Sequence, residues 1–219
     1  MRLWGKLTII LFSMEVRMKG SPPKPPFFLV SNHLSYLDIP IYSAFTDTTF
    51  VSKSEIKSWP VVGFMAKTLG ILFVDRNRRS DVKRVNNLIA DSLNDQQGVV
   101  LFPEGTTSPG MEVLRFRPSL LQHAAESEIS VSYSSIRYET DEKDIPAYKS
   151  VCWWGNTNLL THLFILSKNR KVYIDLRFGD EKVRNNDRKM LATELHKKVT
   201  SLFEPVAQKI DEEFIPVQF

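Results

Sequence analysis

Apolar segments alternate with amphipathic ones along most of the chain, and the two kinds differ in period. Short runs rich in β-branched and aromatic residues predict six strands, at residues 27–32, 48–53, 71–76, 98–104, 129–138 and 171–178. Longer segments with apolar residues at helical spacing predict helices at residues 36–45, 54–69, 80–95, 117–126, 156–167 and 185–211. This alternation predicts an α/β fold with a central mixed or largely parallel sheet flanked by helices.

Two of the predicted helices have contrasting patterns. The helix at 80–95 begins with Ser80 as its N-cap and repeats apolar residues along one face, which is typical of packing against a core. The helix at 54–69 is apolar around most of its circumference, with lysines interspersed. Such a helix either is buried or lies against lipid or an acyl chain, and the pattern leaves both readings open.

The first 20 residues predict an element at a membrane surface. An apolar run from Leu7 to Phe12 is flanked by basic residues, but a helix needs about 20 apolar residues to span a bilayer. No small-residue cleavage site follows, as it would in a signal peptide. We therefore expect an amphipathic interfacial helix over residues 1–20, with Lys6 and Arg17 near lipid headgroups and a lipid-facing side formed by Trp4, Leu7, Ile10, Leu11 and Met14. A helix packed on its own domain or on a partner is the alternative.

Length and composition favour one domain after this helix. The chain has 219 residues, 42% of them hydrophobic, and the proline-rich stretch before residue 27 is the only linker signal, so we predict one domain over 27–219. The single cysteine, Cys152, excludes an internal disulfide and fits a reducing compartment, and no Cys/His spacing indicates a zinc site. The net charge of +4 suits an anionic partner. We expect no nucleic-acid binding, because no Lys/Arg stripe with interleaved aromatics is present.

A histidine and an aspartate follow the first predicted strand, in "NHLSYLDIP". His33 lies at the strand's end and Asp38 five residues on, where ligands of α/β folds gather. Histidine can take a proton at neutral pH, and an acid on its other ring nitrogen fixes its tautomer. The pair alone leaves a structural role equally open. Ser35 lies between them, but the glycine-flanked elbow of serine hydrolases is absent, so we expect His33 to act on a substrate hydroxyl.

Two further strand ends carry polar groups. "GILFVDR" ends with Arg76, whose guanidinium suits a bidentate contact with phosphate. "VVLFPEGTTSPG" leads from an apolar strand into Glu104, Gly105 and Thr106, where glycine permits a close backbone approach to a ligand and threonine offers a donor.

The blocks "NHLSYLDIP", "GILFVDR" and "FPEGTTS", in this order, resemble the first three sequence blocks of the glycerolipid acyltransferase family, especially bacterial 1-acylglycerol-3-phosphate acyltransferases. The similarity extends from about Phe28 to Tyr138, with a weaker match at "VCWWGN". It implies transfer of a fatty acyl group from an acyl-CoA or acyl carrier protein thioester to the hydroxyl of 1-acyl-sn-glycerol-3-phosphate, giving phosphatidic acid. Another lysophospholipid, another lipid hydroxyl or glycerol 3-phosphate is the alternative acceptor.

The resemblance also implies roles for individual residues. His33 is implied to be the general base and Asp38 the residue that orients it. Substrate contacts are implied for the block residues and for a basic residue after the glutamate loop, namely Asn32, Arg76, Glu104, Gly105, Thr106 and Arg117. No metal and no cofactor are implied beyond the acyl donor itself. The lipid acceptor implies a peripheral or monotopic protein on the cytoplasmic face of a membrane, without a full transmembrane helix.

One block departs from the family pattern. The fourth block of the family usually has a proline within an apolar strand, whereas this chain has "ISVSYSSIRY", with polar residues from Ser132 to Ser135. We expect these residues to make the pocket wall more polar and to alter the acceptor or acyl preference.

Overall fold

Seven strands form one sheet in the computed structural model, which describes residues 1–53, 71–74, 88–89, 91–155 and 157–210. The strands are β1 (Met14–Lys19), β2 (Phe28–Val30), β3 (Thr48–Lys53), β4 (Leu72–Val74), β5 (Gly98–Leu101), β6 (Val131–Thr140) and β7 (Val172–Phe178). Their order across the sheet is β1-β7-β6-β2-β5-β3-β4. Within this described sheet only β6 and β7 pair antiparallel, which confirms the predicted largely parallel α/β fold.

The helices of the described residues are α1 (Arg2–Leu11), α2 (Asp38–Phe45), α3 (Gln122–Glu126), α4 (Ala147–Ser150), α5 (Leu159–Leu166) and α6 (Arg188–Leu202). The predicted helix at 117–126 begins as a 3₁₀ turn, Pro118–Leu121, before α3. The predicted helices at 36–45, 156–167 and 185–211 correspond to α2, α5 and α6 with shorter ends. The predicted helix at 54–69 and most of that at 80–95 lie outside the described residues.

The helix predicted over residues 1–20 is in fact a helix followed by a strand. Helix α1 ends at Leu11, and Ser13, with a φ of 49°, turns the chain into β1, which pairs parallel with β7. Met14 is therefore a buried residue of β1 and is not on a lipid-facing helix surface. Arg17 forms ion pairs with Glu139 and Asp175. The alternation of apolar Met14, Val16 and Met18 with polar neighbours has the strand period of two, which the adjacent apolar run obscured.

Helix α1 packs closely on α2 through Gly5, the one buried residue of α1. A Cβ at this position would collide with the Pro40 carbonyl oxygen and lie 2.6 Å from the Ala44 nitrogen, so only glycine allows this approach. The opposite side of α1 leaves four large apolar residues exposed, Leu3, Leu7, Ile10 and Leu11. One side of α1 thus packs on its own domain, as in the alternative expectation, and contact of its apolar side with a membrane stays a prediction.

Each face of the sheet buries its own apolar cluster. Along β6 the alternate residues Ile136 and Tyr138 join the cluster beneath α1 and α2, while Val131 and Tyr133 join the cluster beneath α6. Strand β2 lies at the centre, hydrogen-bonded on one side to β5 and on the other to β6, and all three run parallel. Their carboxyl ends therefore meet at one edge of the sheet, where a ligand site is expected in such folds.

No helix within the described ranges is long and apolar enough to cross a membrane.

Candidate active site

The chain leaves β2 into a tight loop that carries the predicted base. The Ser31 amide still donates to the Leu101 carbonyl of β5, but from Asn32 onward the backbone leaves the ladder. Asp38, which is completely buried, is the first residue of α2. The loop between them is short enough for the side chains of His33 and Asp38 to face each other.

His33 and Asp38 form a direct hydrogen bond. The His33 Nδ1 lies 2.7 Å from the Asp38 Oδ2, and the histidine side chain is 18% exposed. A carboxylate can only accept here, so Nδ1 carries the proton of this hydrogen bond, and in the neutral imidazole the other ring nitrogen, Nε2, has the lone pair. This is the arrangement that a general base requires.

Four donors surround the Asp38 carboxylate. In addition to His33, the backbone N–H groups of Leu34 and Ser35 donate to Oδ2, at 2.8 and 3.2 Å. The hydroxyl of Tyr138 donates to Oδ1 at 2.5 Å. These bonds hold a charge that has no access to solvent. They also fix the plane of the carboxylate, and hence the direction in which the imidazole points.

The loop after β5 holds the other side of His33. The imidazole stacks on the Phe102 ring, with ring centroids 4.1 Å apart and planes within 7°. The His33 backbone N–H donates to the Glu104 Oε1 at 3.3 Å, and the His33 carbonyl accepts from the Ser108 N–H at 3.1 Å. The two loops are thereby joined, so His33 and the predicted acceptor loop have a fixed relative position.

Glu104 is buried in a setting that favours its neutral form. Burial and, to a lesser extent, the charge of Asp38 raise the Glu104 pKa to about 9, against the opposing hydrogen bonds from the His33 and Leu114 backbone N–H groups. A neutral acid can accept from His33 with Oε1 and donate with Oε2. The Oε2 atom is buried and has no partner within the described part of the chain, so it is a free contact point beside the base.

The remaining residues of the predicted acceptor loop differ in exposure, since Gly105 is buried and Thr106 is not. Gly105 has a φ of 74°, in the left-handed region that favours glycine, and its N–H donates to the Phe102 carbonyl at 3.1 Å. Thr106 follows and is exposed. The Arg117 backbone N–H bonds the Pro103 carbonyl at 2.9 Å, which ties the exposed Arg117 to the base of this loop.

Asn32, a predicted substrate contact, makes structural hydrogen bonds. Its side-chain amide donates to the Ile136 carbonyl, and its side-chain oxygen accepts from the Ile136 N–H, each at 2.9 Å. These bonds extend the pairing of β2 with β6 by one step after the β2 backbone has turned away. Asn32 is completely buried, so the structure gives it an anchoring contact, and its contact with substrate stays a prediction.

The polar fourth block is largely internal. The Tyr42 hydroxyl lies 2.7 Å from the Ser134 Oγ and donates to the Ser31 Oγ at 2.6 Å, all three side chains being buried. Ser134 is therefore satisfied within the core beneath α2. The expected effect of Ser132 to Ser135 on the polarity of the pocket wall and on the acceptor or acyl preference stays a prediction.

Two further groups bear on the chemistry. Ser35 is completely buried and its Oγ has no partner in the described residues, so no Ser-His-Asp relay is formed, in agreement with the sequence analysis. Burial raises the pKa of the Cys152 thiol well above its usual value, which keeps the sulfur protonated and unreactive.

Arg76, the predicted phosphate ligand, lies outside the described residues.

Sequence reasoning missed two tyrosines near the dyad. Tyr138, at the far end of β6, is on the same face as Ile136, so the alternation along a parallel neighbour of β2 was a usable signal for its position. Tyr36 bonds the His162 Nδ1 at 3.0 Å, and the His162 Nε2 bonds the Cys152 carbonyl at 3.1 Å. Burial lowers the His162 pKa to about 4, so this histidine is neutral and anchors α5 to the loop of the dyad.

Comparison with known proteins assigns the family. The acyltransferase family model matches residues 14–137, which include both loops of the site. The chain therefore belongs to the acyltransferase family, and its resemblance to the glycerolipid acyltransferases is confirmed.

Two curated relatives have different named acceptors. The lyso-ornithine lipid O-acyltransferase of Pseudomonas aeruginosa is 33% identical over 177 residues, which cover 80% of this chain and 67% of that protein. The 1-acyl-sn-glycerol-3-phosphate acyltransferase of Neisseria gonorrhoeae is 37% identical over 158 residues, which cover 68% of this chain and 62% of that protein. The match to the Neisseria protein thus spans less than two thirds of its length.

A solved structure supports the fold. The 1-acyl-sn-glycerophosphate acyltransferase PlsC of Thermotoga maritima superposes with a TM-score of 0.60, covering 92% of this chain and 77% of that one. The two sequences are 21% identical over this match, so the likeness concerns the arrangement of the backbone.

The raised Glu104 pKa predicts a pH-dependent cost in stability. Above about pH 4.5, the ordinary value for this group, the unfolded chain releases the Glu104 proton while the folded chain retains it, so stability falls as the pH rises toward 9. Glu104→Gln keeps the shape and removes the titration. We expect chemical denaturation to give a higher free energy of unfolding for the variant at pH 8, by on the order of 1–3 kcal/mol, and a smaller difference at pH 5. Glu112→Gln, at an exposed position of the same loop, is the control. An equal difference at both pH values would contradict the neutral acid.

Proposed function

We propose that this protein transfers a fatty acyl group from a thioester donor to the free hydroxyl of a lysolipid, with His33 as the general base. The observation that carries this proposal is the His33–Asp38 hydrogen bond of 2.7 Å at the carboxyl edge of the sheet. It leaves Nε2 as a proton acceptor on a histidine that is still partly accessible to solvent. Membership of the acyltransferase family supports the reaction class.

The reaction needs one proton acceptor. His33 Nε2 takes the proton of the acceptor hydroxyl as its oxygen attacks the thioester carbonyl, and Asp38 stabilises the imidazolium that forms. The tetrahedral intermediate then collapses with loss of a thiolate, which is a good leaving group and can recover the proton from His33. No protein nucleophile is required, and the buried Ser35 and Cys152 are unsuited to that role.

The developing oxyanion requires donors that are not already engaged. The N–H groups of Leu34 and Ser35 bond Asp38, that of His33 bonds Glu104, and that of Gly105 bonds Phe102. These four N–H groups are therefore already engaged. We assign stabilisation of the oxyanion to the exposed end of the acceptor loop, which begins at Thr106.

Glu104 and two arginines, Arg117 and Arg76, are the proposed contacts for the acceptor. The buried Glu104 Oε2 lies next to the base and, when protonated, can donate to an oxygen of the acceptor backbone. Arg117 is exposed beside the same loop and can reach an anionic headgroup. Arg76, Gly105 and Thr106 keep the substrate roles predicted for them from the resemblance.

The acceptor predicted from the sequence is 1-acyl-sn-glycerol-3-phosphate, with acyl-CoA or acyl carrier protein as donor. The name of the Neisseria relative supports it. A lyso-ornithine lipid is a second candidate, because the Pseudomonas relative carries that name and its match covers more of this chain. Both acceptors offer a hydroxyl to the same base.

A panel of acceptors tests the base and the acceptor together. Radiolabelled acyl transfer is measured with 1-acyl-sn-glycerol-3-phosphate, lyso-ornithine lipid and glycerol 3-phosphate, each with acyl-CoA and with acyl carrier protein. We expect one lysolipid to be acylated by the wild type and its turnover to fall by about 100-fold or more in His33→Ala, because proton removal is lost. Ser35→Ala, which removes a buried hydroxyl without a partner, is expected to keep its activity.

The outcomes separate the parts of the proposal. Turnover of a lysolipid other than 1-acyl-sn-glycerol-3-phosphate would overturn the acceptor predicted from the sequence while preserving the reaction. Full activity of a folded His33→Ala variant would end the assignment of the base.

We also propose that the exposed side of α1 binds the surface of a membrane. Leu3, Leu7, Ile10 and Leu11 form an apolar side on a helix whose other side packs on α2. Since α2 begins at Asp38, this contact would place the site close to a lipid acceptor. Location on the cytoplasmic face stays a prediction.

Vesicle binding tests the α1 surface. Leu7→Glu places a charge where lipid contact is proposed, and we expect cosedimentation with vesicles containing anionic lipid to weaken by about tenfold. Met190→Glu is the matched control, because it adds the same charge at an exposed apolar position of α6. Equal binding of the two variants would contradict the role of α1.

A further inference from the structure

Tyr138 has the closest contact with the Asp38 carboxylate. Its hydroxyl lies 2.5 Å from Oδ1, whereas the three other donors, His33 Nδ1 and the backbone N–H groups of Leu34 and Ser35, all reach Oδ2. The two carboxylate oxygens therefore have separate partners. Oδ1 depends on the tyrosine alone within the described structure, and the side chains of Asp38 and Tyr138 are both completely buried.

The sheet fixes the position of this hydroxyl. Tyr138 lies within the β6–β7 pairing, opposite Ile174, and its ring is part of the core beneath α2. Two residues nearer the start of β6, the backbone of Ile136 bonds the Asn32 side chain, so β6 is also tied to the loop of the dyad. A rigid donor on a central strand holds the carboxylate in a way that a surface group or water could not.

We propose that Tyr138 is a positioning residue of the His33–Asp38 pair, which fixes the rotation of the Asp38 carboxylate and limits how strongly that carboxylate holds the His33 proton. The proposal rests on the proposed function only in that His33 acts as the base. Tyr138 is buried behind Asp38 and acts through it, without contact with substrate.

The hydrogen bond from Tyr138 to Asp38 determines the direction of the effect on His33. A donor on Oδ1 withdraws charge from the carboxylate, so Asp38 stabilises the His33 imidazolium less than it would alone. Tyr138 itself stays protonated, because burial raises its pKa well above the usual value and the charge of Asp38 raises it further. It is therefore a constant donor across the pH range in which histidine titrates.

The groups that face His33 are few. Asp38 approaches from α2, Glu104 from the loop after β5, and the uncharged Phe102 ring covers one face of the imidazole. Glu104 is neutral near pH 7, since burial raises its pKa to about 9. Asp38 is thus the charged group in direct contact with His33 among the described residues, and a change at Tyr138 reaches His33 through it.

Removal of the hydroxyl tests the proposal. In Tyr138→Phe the ring remains and the donor is lost, and the His33 pKa is read from the pH dependence of its ring ¹⁵N shifts in the free protein. We expect it to rise by about half a unit to one unit. The acid limb of kcat/KM should move to higher pH by the same amount, and kcat should fall about three- to tenfold with little change in KM, because the base is less well oriented.

The protein offers a matched control in Tyr42→Phe. Tyr42 is equally buried, and its hydroxyl bonds Ser31 and Ser134 without contacting Asp38. The control reports the cost of losing any core hydroxyl, and we expect the His33 pKa to be unchanged in it. Equal effects of the two substitutions on the pKa and on kcat would overturn the proposal and leave Tyr138 a packing residue.

A second change covers the case in which Tyr138→Phe fails to fold. Incorporation of 3-fluorotyrosine at position 138 keeps the hydroxyl and makes it a stronger donor, so the His33 pKa should fall instead of rising. A rise or no change would contradict the proposal. The ¹⁵N measurement uses no substrate, so it decides on Tyr138 even if no acceptor of the panel is acylated.

Discussion

The structure around the site depends on one buried carboxylate. Asp38 lies at the start of α2 without contact with solvent, and four donors from two parts of the chain, the loop after β2 and strand β6, converge on it. A charge in that position is costly unless its partners are in place. Satisfying this buried charge requires the loop after β2 to close around Asp38, the first turn of α2 to begin there and the end of β6 to lie at the site. It also fixes the tautomer of His33, on which the proposed chemistry rests.

Two carboxyl groups near His33, those of Asp38 and Glu104, have different surroundings and therefore different properties. Asp38 has four donors and bonds the imidazole, whereas Glu104 accepts from the His33 N–H with Oε1, its Oε2 has no partner among the described residues, and burial favours its neutral form. A pair of acids in contrasting environments is a common way to divide roles in an active site. In the proposed mechanism, one acid orients the base, and the other is available to the acceptor.

The sequence predicted the fold well where the signal was local. Six strands and the segment from His33 to Asp38 followed from period and position, because buried central strands leave short apolar runs that end at polar residues. Strand β1 was missed because its alternation directly follows a helix of similar composition. Tyr138 and the pairing of Asn32 with Ile136 are contacts between residues about 100 positions apart, and only the register of β2 with β6 brings them together.

The central claim is that Asp38 holds His33 as the neutral tautomer with the proton on Nδ1, so that Nε2 is free to accept one. Ring ¹⁵N shifts of His33, measured above its pKa in the wild type and in Asp38→Asn, test this claim most directly. The account predicts a protonated Nδ1 and a bare Nε2 in the wild type, and loss of that preference in Asp38→Asn together with loss of acyl transfer. A wild-type imidazole with its proton on Nε2, or the same tautomer in both proteins, would contradict it.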